Sequence, residues 1–175
     1  MNLKDHIRSI PDYPKKGILF RDISTLIENE NAFKEVIDQI VERSKKFKID
    51  KVAAVESRGF VFASAVSYVL KKPFVMLRKK NKLPAETFSV DFELEYGTAT
   101  IEVHKDSIKK DDSVLIIDDL IATGGTAEAA AKLIEISKGK VAGFVFVINL
   151  FDLHGVDNLV NKGFKVESLL EFPGH

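Results

Sequence analysis

Apolar residues are distributed along this chain in two rhythms. Between Asn31 and Lys48 they recur at helical spacing, as Phe33, Val36, Ile37, Ile40 and Val41, while lysines and glutamates fill the other face. That spacing predicts an amphipathic helix. Elsewhere the apolar residues come in short unbroken runs. Val52 to Val55, Phe74 to Leu77 and Val141 to Ile148 read as strands, and Val114 to Ile117 as a strand covered on both faces of a parallel sheet. A helix of small residues runs through Ala63, Ala65, Val66 and Leu70, and another spans Ala127 to Ile136. Strands alternating with helices imply right-handed crossovers. The expected class is therefore α/β, a mostly parallel sheet flanked by helices.

Two segments break the alternation. From Thr87 to Tyr96 apolar and polar residues alternate (Phe88, Val90, Phe92, Leu94, Tyr96), Gly97 turns the chain, and Ala99, Ile101 and Val103 follow. This is the pattern of a projecting two-stranded arm, with a flexible region over about residues 79–103. Near the N-terminus, YPKKGILFRD (13–22) combines Pro and Gly with an apolar patch and predicts a small hood, about residues 10–24, over the ligand edge. No repeat, low-complexity tract or linker divides the chain, and 175 residues suit a single domain spanning 1–175.

Ligands of such sheets gather at the carboxyl ends of the strands. Glu56 to Gly59, Arg78 to Lys82, Asp118 to Thr126 and Asn149 to Phe151 all fall at predicted strand ends, so four segments converge on one edge. The richest is VLIIDDLIATGGT (114–126), a strand, two carboxylates, then a small-residue loop opening a helix. Glycines let backbone N–H groups approach a ligand, and a helix N-terminus favours an anion. One phosphate on the loop and two sugar hydroxyls on Asp118 and Asp119 would satisfy these groups, which outlines a cradle for ribose 5-phosphate. Paired aspartates at a strand end also suit a phosphate-accepting receiver, but Thr123 to Thr126 would then have no purpose.

Composition narrows the class further. Lys+Arg and Asp+Glu both number 26, so no global positive field attracts nucleic acid or anionic lipid. There is no cysteine, hence no disulfide or thiolate chemistry, which fits a reducing compartment. The charged start MNLKDHIRSIPDYPKKG lacks the apolar core of a signal peptide, and no run approaches the length of a membrane span. A cytoplasmic protein is expected.

The stretch from Asp118 to Thr126 resembles the phosphoribosyl-pyrophosphate signature of the type I phosphoribosyltransferases. The likeness extends over YPKKGILFRDIS (13–24), ESRGFVF (56–62), RKKNKLP (78–84), LEYGTATIEVHKD (94–106), INLFDL (148–153) and FPGH (172–175), several of them peculiar to the adenine-specific branch. The resemblance implies transfer of the phosphoribosyl group from phosphoribosyl pyrophosphate to adenine, giving AMP and pyrophosphate in purine salvage. It also implies a magnesium cofactor and a homodimer. In the family the two acids bind the ribose hydroxyls, and the loop Ala122, Thr123, Gly124, Gly125 and Thr126 binds the 5′-phosphate.

Displacement at the anomeric carbon develops positive charge on the sugar and negative charge on the departing pyrophosphate. Asp118 and Asp119 meet the first need. For the second, Arg58 on its Ser-Arg-Gly turn is the candidate, with Arg78 and Lys82 favoured in the next loop by the resemblance; Lys80 reads as a solvated face. An arginine after a strand can equally be a surface group. The resemblance makes Phe20 a stacking platform for adenine, with backbone around Leu19, Phe20 and Arg21 reading the base edge and Leu150 as the opposite wall. Phe20 and Leu150 could also be plain core. Glu95, in a Glu-Tyr-Gly context on the arm, matches the glutamate to which the family assigns proton exchange with the purine. No histidine has metal-ligand spacing, so magnesium is expected on the substrate's own oxygens, without direct protein ligation. Asn81 stands where a glycine is common in the basic loop, and His154 precedes Gly155 near the base pocket. The alternatives are transfer to hypoxanthine or guanine, and a non-catalytic sensor of phosphoribosyl pyrophosphate that binds DNA.

Overall fold

The computed structural model describes residues 1–94 and 97–175. After a short 3-10 turn, strands β1 (Arg8–Pro11) and β2 (Leu19–Asp22) pair as an antiparallel hairpin, the predicted hood. Helices α1 (Ser24–Ile27) and α2 (Glu30–Ser44) lead into β3 (Lys51–Val55), α3 (Arg58–Leu70) and β4 (Phe74–Lys79). The arm follows as β5 (Thr87–Leu94) and β6 (Gly97–His104), then β7 (Ser113–Ile121), α4 (Gly125–Ile136), β8 (Lys140–Leu150), α5 (Gly155–Asn161) and β9 (Val166–Phe172). Seven of the strands form one sheet in the order β5-β6-β4-β3-β7-β8-β9. Pairing is parallel from β4 through β9, and antiparallel where β6 joins β4 and β5.

Side chains alternate across β7 and divide the core between the two sheet faces. Leu115 and Ile117 pack with Val145, Val147 and the apolar stripes of α2 and α3. Val114 and Ile116 pack with Phe144, Phe146 and the alanine face of α4. Small residues on α4 let it lie close to the sheet, leaving room for the arm. Val90, Ile101 and Val103 of the arm are buried in that same second cluster, with Phe88 and Phe92 against it. The arm's apolar face is therefore covered from within the chain, and a second copy is not needed to explain it.

Three boundaries differ from the sequence reading. β7 runs on to Ile121 because β8 continues the ladder past the acids, pairing Asp118 with Phe146 and Ile121 with Asn149. Arg58 opens α3 instead of sitting on a turn before it. β9 was not expected, because VESLLEF is half-buried along most of its length and lacks an unbroken apolar run.

Candidate active site

The cavity at the carboxyl end of β3 and β7 has a volume of about 360 Å³, within the range of small-molecule sites. Its lining includes Glu56, Ser57 and Arg58, the acids Asp118 and Asp119, and the whole loop from Ala122 to Thr126. Phe92, Glu93 and Leu94, at the end of β5, close it from the arm side. The N–H groups at the start of α4 have no carbonyl one turn back to bond, so they remain available to an anion. Gly124 precedes that helix with φ +95°, a conformation that disfavours any residue with a Cβ.

The acids differ in their surroundings. Asp119 is buried, and its Oδ2 lies 2.9 Å from Arg58 Nε. Asp118 accepts the Asp119 N–H at 2.8 Å. Burial, and then the negative charge of Asp119, push the Asp118 carboxyl well above the usual carboxylate range. Gly59 makes this close packing possible, since a Cβ there would come within 2.8 Å of Asp118 Oδ1.

Arg58 also lines a second cavity of about 350 Å³ under the hood, with Tyr13, Phe20, Ile23 and Ile27. Its guanidinium carbon sits 5.5 Å from the Phe20 ring centroid, and Tyr13 meets Phe20 edge-on at 5.1 Å. Phe20 is half-buried and lines this cavity, so it is not simply core. The hood is anchored at Asp22, which accepts from the Ser24 N–H at 2.9 Å and from Arg8 Nε at 3.0 Å. The backbone and side-chain bonds from Ser24, and then Arg8, lower the Asp22 pKa to about 2.

Other expected residues are placed differently. The Arg21 side chain turns away from the second cavity: it donates to Ser9 Oγ at 2.6 Å and to the Pro173 carbonyl at 2.9 Å, 4.6 Å from the Phe172 ring centroid. Leu19 pairs with Pro11 inside the hood hairpin. Leu150 is buried in the core and lines none of the cavities described, because β8 carries it into the layer formed with α2 and α3. Arg78 is held by Glu56, with Nε 3.2 Å from Oε1, and Glu56 also accepts the Lys79 N–H at 2.7 Å. Lys82 is exposed on the following turn; neither Arg78 nor Lys82 borders the two cavities. Glu95 lies outside the described residues.

Both departures in sequence have a backbone explanation. Asn81 takes φ +67° and donates its N–H to Glu102 Oε1 at 2.8 Å, so it adopts the left-handed turn a glycine would make. His154 takes φ +62° and leads the chain into Gly155, which touches the Ala122–Gly124 loop and not the hood cavity. Sequence reasoning missed Glu56 as the partner of Arg78, and Gly155 as the neighbour of the loop. A glycine directly after a strand-end turn was the available signal for the second.

The phosphoribosyl transferase domain model matches residues 22–167. The chain is 81% identical to the adenine phosphoribosyltransferase of Pelagibacter ubique (strain HTCC1062), over 100% of both chains. The adenine phosphoribosyltransferase structure from Thermoanaerobacter pseudethanolicus superposes with a TM-score of 0.93 at 44% identity, covering 97% of this chain and 98% of that one. The Saccharomyces cerevisiae enzyme, solved with an imino-altritol bisphosphate and adenine, gives 0.89 at 37% identity and 96% of each chain. A likeness that runs from end to end of the chain places it in the phosphoribosyltransferase family, among the adenine phosphoribosyltransferases.

Proposed function

We infer that this chain catalyses transfer of the 5-phosphoribosyl group from phosphoribosyl pyrophosphate to adenine, giving AMP and pyrophosphate in purine salvage. The observation that carries the reading is one cavity holding both the acid pair and the loop at the start of α4, with an aromatic-lined cavity beside it sharing Arg58. In the reaction the bond from C1′ to pyrophosphate breaks, the bond from C1′ to N9 of adenine forms, and the N9 proton leaves. Asp118 and Asp119 bind the ribose diol and oppose the positive charge that grows on the sugar. The N–H groups of Thr123, Gly124, Gly125 and Thr126, with the Thr123 and Thr126 hydroxyls, hold the 5′-phosphate, and Ala122 lets the backbone pass close.

Arg58 has a second task once substrate is present, contact with the diphosphate, for which its half-exposed side chain is free to swing. Arg78 and Lys82 supply further positive charge from the β4 loop. Phe20 stacks on adenine, with Leu19 and Arg21 contributing backbone on the same strand. Glu95 takes part in proton exchange; its chain neighbours Glu93 and Leu94 line the cavity. The carboxylates of Asp118 and Asp119 in the cavity suit magnesium, a hard cation that would be held mainly by substrate oxygens and water near them and would neutralise charge on the pyrophosphate.

The same reading makes the chain one cytoplasmic catalytic unit that works as a homodimer, with exposed Tyr68, Val69 and Met76 available to a second copy. Among the described residues no helix is long and apolar enough to cross a membrane. The direct test is pyrophosphate release with adenine, hypoxanthine and guanine compared side by side. Adenine is expected to be the strongly preferred acceptor. Equal or better use of hypoxanthine would overturn the assignment, as would DNA retention at low salt without AMP formation.

A further inference from the structure

We infer that the turn from Leu153 to Asn158 is a positioning device that sets the phosphate loop from behind, with Gly155 and Asn158 as its working residues. This rests on the cradle described above. Three consecutive loop carbonyls are tied off on the side away from the cavity. Ala122 O accepts the Gly155 N–H at 3.1 Å, Thr123 O accepts Asn158 Nδ2 at 3.4 Å, and Gly124 O accepts the Glu128 N–H at 2.9 Å. In a trans peptide the C=O and the following N–H point in opposite directions. Holding those carbonyls back therefore aims the N–H groups of Thr123, Gly124 and Gly125 at the cavity those residues line.

Gly155 sets the depth of the loop. A Cβ at this position would lie 2.4 Å from Ala122 O, 2.8 Å from Ile121 Cγ1 and 3.0 Å from Gly124 N. Two of these three contacts, the nearest included, are backbone atoms of the loop, which cannot yield as a side chain can, so a larger residue has to push the loop toward the bound phosphate. The left-handed φ of +62° at His154 directs Gly155 into that contact. Below it, Lys162, the C-cap residue of α5, pairs through its side chain with Glu128 of α4 at 2.9 Å, which joins the two helices without a side-chain contact to the loop.

The test measures binding of ribose 5-phosphate and of pyrophosphate by calorimetry, beside steady-state kinetics, on wild type, Gly155→Ala, Asn158→Ala and Lys162→Ala. Gly155→Ala is expected to weaken ribose 5-phosphate binding and raise the KM for phosphoribosyl pyrophosphate by about tenfold or more, with kcat and pyrophosphate affinity within about twofold. Asn158→Ala shifts the same two quantities by about threefold. Lys162→Ala leaves both where they are, so lost helix packing alone cannot mimic the effect. If Gly155→Ala does not fold, Asn158→Ala decides. Wild-type ribose 5-phosphate affinity in both loop variants would overturn this inference alone. Failure of the wild type to bind ribose 5-phosphate would overturn the cradle with it.

Discussion

Arg58 Nε lies 2.9 Å from Asp119 Oδ2, joining the first residue of α3 to the second acid of β7. Asp119 is almost fully enclosed while Arg58 is about half exposed, so the buried charge is countered by a group free to move when a substrate enters. On the proposed reading, Asp119→Asn removes the charge that opposes the developing cation and replaces one of the two acceptor oxygens with a donor. We expect kcat/KM for phosphoribosyl pyrophosphate to fall by about 10²–10³-fold. Pyrophosphate-release kinetics would show it, and a loss below about tenfold would contradict the role.

Asp118 separates stability from function. Its carboxyl is held well above the usual range by burial and by the Asp119 charge, so ionisation at neutral pH costs the ligand-free fold free energy. A raised acid pKa gives stability that is present below the unfolded value of 3.8 and lost as pH rises through the folded value. Asp118→Asn keeps an oxygen for the Asp119 N–H and removes the group whose ionisation the fold disfavours. It should therefore raise the melting temperature at pH 7 by about 2–4 °C, lose that gain at pH values below the ordinary carboxylate range, and abolish turnover. Thermal scans across pH, with one activity assay, check all three.

On the proposed reading Phe20 acts on adenine through its ring face. Phe20→Leu preserves bulk but not the aromatic surface, and stacking is worth about 0.5–1.5 kcal/mol. The adenine KM should rise by up to about tenfold while the KM for phosphoribosyl pyrophosphate stays within about twofold. A shift in both constants would mean that the hood as a whole had moved.

Arg21 acts through the C-terminal segment. Its guanidinium reaches Ser9 Oγ and the Pro173 carbonyl and covers Phe172, whose ring also has Lys4 Nζ 5.0 Å from its centroid. Gly174 in turn donates its N–H to Asp152 Oδ1 at 2.6 Å. Arg21→Ala frees the hood from this tail and should destabilise the chain by about 2 kcal/mol. It should also raise the adenine KM, because Phe20 is the next residue on the same strand. Denaturant unfolding and base kinetics measure the two effects.

Elements whose residues declare themselves locally were legible in the sequence. The β7 run, the stripe of α2 and the small-residue face of α4 follow from apolar spacing over a few residues. So did the junction of acids and loop, because strand, carboxylates and glycines are contiguous. What depends on distant partners was hidden. Arg21 meets Pro173 across 152 positions, so nothing near Arg21 announces that its side chain faces the tail. Arg78 and Glu56 are neighbours only because β3 and β4 are parallel. Gly155 packs against a loop from another strand, and β9 is half-buried along most of its length, so no apolar run marks it.

The cradle is tested most directly by a crystal structure of this chain grown with ribose 5-phosphate. The account predicts phosphate oxygens within hydrogen-bond reach of the backbone N–H groups of Thr123 to Thr126, and the 2′- and 3′-hydroxyls on Asp118 and Asp119. A sugar phosphate bound elsewhere, with that loop making no contact to it, would contradict the account.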